Sequence, residues 1–254
     1  MSRSLMNPFR TRPNPITDDG DGDGFSFCGN CAFAGVCHAE GYDKPALKEL
    51  HCLVQHVGPY HAGTLLFREG DPFNAIAAVR SGMVKTFRVD AAGREQVLGF
   101  FLLGEIIGLD AIHNGRFPCN AVALDTVSLC RFSFPMMATL ATRMPGLQTQ
   151  LFRLLSQDIN KAAAMAGDFS ADERMAAFVL SISRRFANHG FSPNRFALSM
   201  SRTDIGNYLR LAAETVSRVM RRFQNEGLLH VDRREFEILD MARLQQLALP
   251  LLRE

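Results

Sequence analysis

Short runs of β-branched and aromatic residues, separated by glycines, fill the chain from about residue 59 to residue 134. These β-type runs cover residues 64–67, 75–79, 83–89, 96–101 and 126–134, and glycines stand between them. Glycine accepts the backbone angles that tight turns require, so it marks the connections between strands. Many short strands joined by glycine turns predict a compact antiparallel barrel or sandwich.

The composition sets limits on the class of protein. The chain has 254 residues, of which 47% are hydrophobic, and this is enough for one large or two modest domains. The net charge is only +2, so affinity for nucleic acid has to come from local clusters of arginine and lysine. There is no apolar run of the roughly 18 residues that a membrane span needs, nor a signal-peptide core. We therefore expect a cytoplasmic protein with no membrane partner.

A helical pattern follows the β-type region. Apolar side chains spaced by three and four residues start after Pro145 and end before Gly167. Such a stripe is either a core-facing surface or the seam of two paired helices. We favour a dimer seam, because symmetric DNA sites are normally read by dimers. The predicted dimerisation residues are Leu147, Leu151, Leu154, Leu155, Ile159 and Ala162.

The C-terminal part has the layout of a DNA-binding domain. Ser170 is the predicted N-cap of a helix over residues 171–187. Ser201 precedes a second helix at 202–209, and a third covers 213–225, so a short turn joins the last two. The β-type pieces at 196–200, 228–231 and 236–239 surround this pair. The arrangement predicts a small winged helix-turn-helix domain.

Three polar residues share one face at the start of the third helix. Glu214, Ser217 and Arg218 are spaced by three and four residues, and their side chains can hydrogen-bond to base edges in the major groove. Arg202, Arg221 and Arg222 add positive charge suited to phosphates. We therefore predict that this domain binds double-stranded DNA.

The N-terminal part carries a metal-type cysteine cluster. Cys28, Cys31 and Cys37 are close enough in sequence for their thiolates to converge on one soft metal centre. The spacing leaves zinc and an iron-sulfur cluster equally open. It also leaves open a fourth ligand from Cys52, Cys119 or Cys130, of which Cys52 falls in a predicted helix at 47–57.

Several of these segments together resemble a known family. Residues 201–209 (SRTDIGNYL) and 214–218 (ETVSR), with 101–108 (FLLGEIIG) and 183–186 (SRRF), are similar to the FNR branch of the CRP/FNR transcription regulators. The likeness runs from about residue 28 to residue 247. It implies an α+β fold with an N-terminal cyclic-nucleotide-binding-type β-roll, a long dimerisation helix and a C-terminal winged helix-turn-helix. The corresponding boundaries are a flexible arm at 1–26, the cysteine segment and sensor domain at 27–140, the dimerisation helix at 141–168 and the DNA-binding domain at 169–254.

The resemblance also implies a function. It assigns Cys130 as the fourth ligand, beside Cys28, Cys31 and Cys37, and a [4Fe-4S] cluster rather than zinc. It implies an oxygen-sensing homodimer that reads TTGAT-type palindromes and contacts RNA polymerase through turns near residues 81–82 and 92–94. One departure is Arg210, where the family usually has glycine in the turn.

Two other functions are compatible with parts of the sequence. Gly104 and Glu105 resemble part of the nucleotide pocket of the cyclic-AMP-responsive branch. Such a pocket also needs an arginine, and the matching stretch at 117–121 offers none, although Arg116 is near. An iron-sulfur electron-transfer protein would also use the cysteines but would not need Glu214, Ser217 and Arg218 on one helical face. No catalytic constellation stands out, so we do not expect an enzyme.

Overall fold

The computed structural model describes residues 32–33, 54–164 and 167–252, with the side chains of 161–164 and 252 left aside. Packing divides the chain into two compact units. The first unit ends at Gln157, and the second begins at Asp158 and also includes Gly93–Val97.

The first unit is built mainly from short strands. They are β1 (Val54–Tyr60), β2 (Leu65–Phe67), β3 (Ala75–Ser81), β4 (Val84–Val89), β5 (Glu95–Phe101), β6 (Ile106–Ile107), β7 (Asn120–Ala123) and β8 (Val127–Ser133). The first three residues of β5, up to Val97, are grouped with the second unit. A short 3-10 turn at Leu109–Ala111 follows β6. Helices α1 (Phe134–Ala141) and α2 (Pro145–Ala164) come after β8, and α2 continues beyond Gln157 into the second unit.

The strands form two four-stranded antiparallel sheets, in the orders β1-β8-β3-β6 and β2-β7-β4-β5. Apolar side chains from both sheets fill the space between them, and Phe67 stacks on Phe117 with ring centroids 3.9 Å apart. Gly82 makes the turn from β3 to β4 with φ 77°, and a Cβ there would lie 2.5 Å from the Thr126 carbonyl oxygen. The first unit is therefore a β-roll with a packed interior.

A second apolar cluster covers the other face of the first sheet. Side chains of β8 alternate between the two faces, with Val127 and Leu129 inside the roll and Cys130 and Phe132 outside. The outer side chains pack against α1 and the start of α2, where Leu147 is completely buried. The same sheet thus supports the roll on one side and the long helix on the other.

The second unit contains α3 (Ala171–Asn188), β9 (Arg195–Ala197), α4 (Arg202–Leu209), α5 (Ala213–Asn225), β10 (Leu229–Asp232), β11 (Glu235–Ile238) and α6 (Met241–Leu252). Ser170 caps α3 through a capping box with Glu173, whose carboxylate accepts the Ser170 N–H. These hydrogen bonds lower the pKa of Glu173. The three strands form one sheet in the order β10-β11-β9.

The predicted β-rich first part, helices and winged helix-turn-helix are confirmed, while several short elements were missed. Strands β6 and β7 and helices α1 and α6 had no sequence prediction. The helix expected over 47–57 is wrong for the residues that the structure describes, because Val54 begins β1 and pairs with Phe132 of β8. Pairing with a central strand outweighs the weak local preference of these residues for helix.

Candidate functional site

The turn between α4 and α5 depends on two backbone features. Gly206 allows the helices to approach, since a Cβ there would lie 2.7 Å from the Leu211 carbonyl oxygen and 3.3 Å from Val216 Cγ2. Arg210 ends α4 in the left-handed conformation, with φ 57° and ψ 42°. The turn therefore has the positive φ for which glycine is the usual residue.

Helix α5 has one buried and one polar face. Val216, Val219, Met220 and Phe223 point into the domain. Glu214, Ser217, Arg218, Arg221 and Arg222 are exposed on the helix. The Ser217 hydroxyl donates to the Ala213 carbonyl at 3.0 Å, and Arg218 Nη2 donates to Thr215 Oγ1 at 3.1 Å. The three predicted reading residues are thus presented to solvent near the start of α5.

Arg202 and Arg222 are engaged with other parts of the domain. The Arg202 guanidinium lies 5.2 Å from the Phe236 ring centroid and contacts Met220 Sδ, and burial lowers its pKa. It packs the wing against α5, which differs from the phosphate contact that the sequence predicts for it. Arg222 forms an ion pair with Asp172 in the first turn of α3.

The wing adds two arginines that the sequence interpretation missed. Arg233 and Arg234 form the exposed tip between β10 and β11, and Arg233 has φ 54°. The β10 strand is tied to α5, because the Val231 N–H donates to Gln224 Oε1 at 3.1 Å. In the sequence, the two adjacent arginines between predicted strands could have indicated this exposed tip. They place two exposed positive charges at the tip of the wing.

Of the four predicted metal ligands, only Cys130 lies in the described part of the chain. Its side chain is 3% exposed and belongs to the apolar cluster outside the roll. Cys28, Cys31 and Cys37 lie outside the described residues, as does Cys52. Within residues 32–33, 54–164 and 167–252, no three His, Cys, Asp or Glu side chains are grouped to hold a metal ion.

Ala32 and Phe33 pack on the face of the roll that carries Cys130. Phe33 is 1% exposed and packs edge-on against Phe132, with ring centroids 5.3 Å apart. The Ala32 N–H donates to the Gly104 carbonyl at 2.9 Å, and Gln150 of α2 donates to the Ala32 carbonyl at 2.6 Å. Cys31 precedes Ala32 in sequence. The residue next to this predicted ligand is therefore anchored on the face that carries Cys130.

Cys119 is in a different environment. It is fully buried inside the roll, and its thiol donates to Asp110 Oδ2 at 3.4 Å. Burial and the neighbouring Asp110 carboxylate raise the pKa of this thiol, which opposes formation of a thiolate ligand. Cys119 and Cys130 lie in separate apolar clusters on opposite sides of the first sheet.

The residues that suggested a nucleotide pocket are used within the roll. The Glu105 carboxylate accepts the Leu102 N–H at 2.9 Å, and the Gly104 carbonyl accepts the Ala32 N–H. Arg116 Nη1 donates to the Gly70 carbonyl at 2.8 Å. Each of the three residues is thus already engaged in contacts with the protein itself.

The predicted dimerisation residues of α2 divide into two groups. Leu147 is fully buried in the roll's outer cluster, and Leu151, Leu154 and Leu155 pack partly against it. Leu147 therefore stabilises its own chain, which corrects its assignment to a seam between chains. Ile159 is 68% exposed. Phe152, which the sequence interpretation did not include, is also largely exposed, at 62%. The side chain of Ala162 lies outside the described residues.

Two domain families match the chain. The Crp-like helix-turn-helix domain matches residues 173–247, and the cyclic nucleotide-binding domain matches residues 58–143. These ranges correspond to the winged helix-turn-helix and to the β-roll.

Curated relatives match over most of the chain. The transcriptional activator protein Anr of Pseudomonas aeruginosa is 42% identical over 87% of this chain and 92% of its own length. The fumarate and nitrate reduction regulatory protein of Escherichia coli K12 is 38% identical over 87% of this chain and 90% of its own. Among solved structures, FixK2 from Bradyrhizobium japonicum superposes with a TM-score of 0.69 at 26% identity, covering 76% of this chain and 96% of that one.

The fold and the exposed reading helix define a DNA-binding transcription regulator and not an enzyme. The chain belongs to the CRP/FNR family, in the branch of the Anr and FNR regulators. Among the described residues, no helix is both long and apolar enough to cross a bilayer.

Arg210 provides a test of the turn. We expect Arg210→Gly to raise the free energy of unfolding by about 1 kcal/mol, because glycine adopts the left-handed conformation without the steric cost of a Cβ. Urea unfolding followed by far-UV circular dichroism measures the change. Arg210→Ala is the matched control, since it also removes the charged side chain but keeps the Cβ. Equal stability of the two variants would contradict the interpretation.

Proposed function

We propose that this regulator senses oxygen through a [4Fe-4S] cluster held by Cys28, Cys31, Cys37 and Cys130. The observation that carries the proposal is the anchoring of residues 32 and 33 on the roll face of Cys130. A buried thiol there fits a soft metal centre that is shielded from water. When bound, the cluster supplies sensitivity to oxygen.

The same anchor reaches the long helix. Gln150 of α2 donates to the Ala32 carbonyl, and Leu151 packs against the outer cluster that contains Cys130 and Phe33. Ligation on both sides of Ala32 would hold this peptide in place on α2. Without ligation, the Ala32 peptide would no longer be held in place, and the packing of α2 would change. This is a short physical route from the cysteines to the dimerisation helix.

We propose that α2 pairs with the same helix of a second chain. Phe152 and Ile159 are separated by one heptad, so they lie on the same side of the helix and expose apolar surface there. Between these two residues, Leu154 and Leu155 face the roll and are partly buried within their own chain. A homodimer is needed to contact both halves of a palindrome, so a modest gain in dimer stability increases operator occupancy.

The DNA contacts proposed for each chain fall into two kinds. Glu214, Ser217 and Arg218 read base edges of a TTGAT-type half-site. Exposed Arg221, with the wing arginines, supplies the phosphate contacts, and Arg222 can join them only by giving up its ion pair with Asp172. Transcriptional control then requires RNA polymerase, for which the turns near residues 81–82 and 92–94 are the proposed contacts, the second of them fully exposed.

The cluster is tested by a pair of serine variants. We expect the wild-type protein and Cys119→Ser, purified without oxygen, to contain iron and sulfide, and Cys130→Ser to contain much less. The reason is that Cys119 lies inside the roll, whereas Cys130 lies on the outer face that Ala32 and Phe33 contact. Metal and sulfide analysis, with the visible spectrum followed during exposure to air, measures this. Zinc without sulfide in the wild-type protein would refute the oxygen-sensing proposal.

The dimer seam is tested on adjacent positions of α2. We expect Ile159→Glu to shift the anaerobic protein to monomers, because a carboxylate would be buried against its symmetry mate. Asn160→Glu introduces the same charge about a quarter turn around the helix and should leave the dimer intact. Sedimentation velocity under nitrogen measures the two variants. Dimers of equal stability in both would exclude this side of α2 as the seam.

Base and phosphate contacts are separated by the salt dependence of binding. We expect Arg218→Ala to weaken binding to the intact palindrome by about 1–3 kcal/mol. It should also reduce the discrimination between bases at one base pair. Arg234→Ala, at the wing tip, should weaken all duplexes similarly and reduce the salt slope by about one. Fluorescence anisotropy with intact and base-substituted duplexes at several salt concentrations measures both. Loss of sequence preference in Arg234→Ala but not Arg218→Ala would reverse the assignment.

A further inference from the structure

A polar side chain that is not a proposed ligand stands directly beside Cys130. Cys130 of β8 is paired in register with His56 of β1 on one side and with Ala78 of β3 on the other. Residues that face each other on neighbouring strands project from the same face of a sheet. The imidazole of His56 therefore shares the outer face with Cys130.

Arg80 reaches this imidazole from the other side of β8. Its Nη1 lies 3.3 Å from His56 Nδ1, although β8 separates β3 from β1 in the sheet. The register of β3 on β8 shifts between Val79 and Ser81, so Arg80 is the extra residue of a bulge. Bulges change the direction in which a side chain points. The Arg80 side chain thus crosses the strand that carries Cys130.

The pair contributes one fixed positive charge to this face. A guanidinium can only donate, so the Nδ1 atom of a neutral His56 is the acceptor. Arg131, the neighbour of Cys130 in sequence, is directed elsewhere, since its Nη1 and Nη2 donate to Gln55 and Asn74 at 2.8 and 2.9 Å. Arg80 is therefore a cation brought across β8 by a bulge and a histidine contact.

We propose that Arg80, positioned by His56, supplies the positive charge that offsets the negative charge of a thiolate-ligated cluster at Cys130. This inference rests on the proposed function, and it assigns to Arg80 the tuning of the same site. Four thiolates around a [4Fe-4S] core with two positive charges leave two net negative charges. A nearby fixed cation stabilises such a centre and raises its reduction potential.

The test compares charge-removing and charge-keeping variants of the full chain, purified without oxygen. We expect Arg80→Gln to make the cluster's midpoint potential more negative and to speed iron release to a ferrous chelator by about tenfold. Arg80→Lys keeps the charge and should stay closer to the wild type. Arg68→Gln, at an exposed arginine of the same unit, is the control and should change neither quantity. His56→Phe removes the anchor and should shift both quantities in the same direction as Arg80→Gln, by less.

The outcomes separate this inference from the proposed function. If the wild type contains a cluster but Arg80→Gln matches it in potential and iron release, Arg80 has no role and oxygen sensing is unaffected. If Arg80→Lys changes the potential and the iron release as much as Arg80→Gln does, the side chain acts through packing and not through charge. This result also overturns the inference. If the wild type contains no iron and sulfide, both proposals fail. Should Arg80→Gln not fold, the comparison of His56→Phe with the wild type decides in the same way.

Discussion

The alternation of side chains along β8 is the constraint on which the first unit depends. Val127 and Leu129 point into the roll, while Cys130 and Phe132 point to its outer face. A shift of one residue in the pairing with β1 and β3 would exchange these two sets. The roll would then lose its interior packing, and the outer face would lose both the cysteine and the aromatic ring that holds Phe33. One register therefore sets the core and the position of the proposed ligand together.

The outer face of the roll, rather than its interior, is where the proposed signal would act. Its interior is filled by side chains such as Phe67 and Phe117, and the Gly104 carbonyl accepts a hydrogen bond from Ala32. The surface that packs on α2 therefore also receives Ala32 and Phe33. In the proposed mechanism, ligation acts on the peptide that Gln150 binds, and the signal needs to cross only one hydrogen bond to reach the helix.

In the second unit, the presentation of the reading helix depends on the packing of its opposite side. Gly206 brings α4 close to α5, and Arg202 fills the space between α5 and the wing over the Phe236 ring. These contacts hold the apolar side of α5 inside the domain. Glu214, Ser217 and Arg218 are left on the solvent side as a consequence. Arg202 thus supports the DNA-binding surface from within the domain.

The sequence by itself determined the elements whose signals are local. Glycine turns and β-type runs predicted five strands of the roll, and capping residues with apolar periodicity predicted α2 to α5 closely. The exposure of Glu214, Ser217 and Arg218 followed from helical spacing in the same way. Only the tertiary structure decided which side of an apolar stripe is used, because burial depends on distant partners. It placed Leu147 in its own chain's core and left Phe152 exposed. It also directed Arg202 inward and brought Arg80 across β8 to His56, since strand order and a bulge are set by long-range pairing that no local pattern contains.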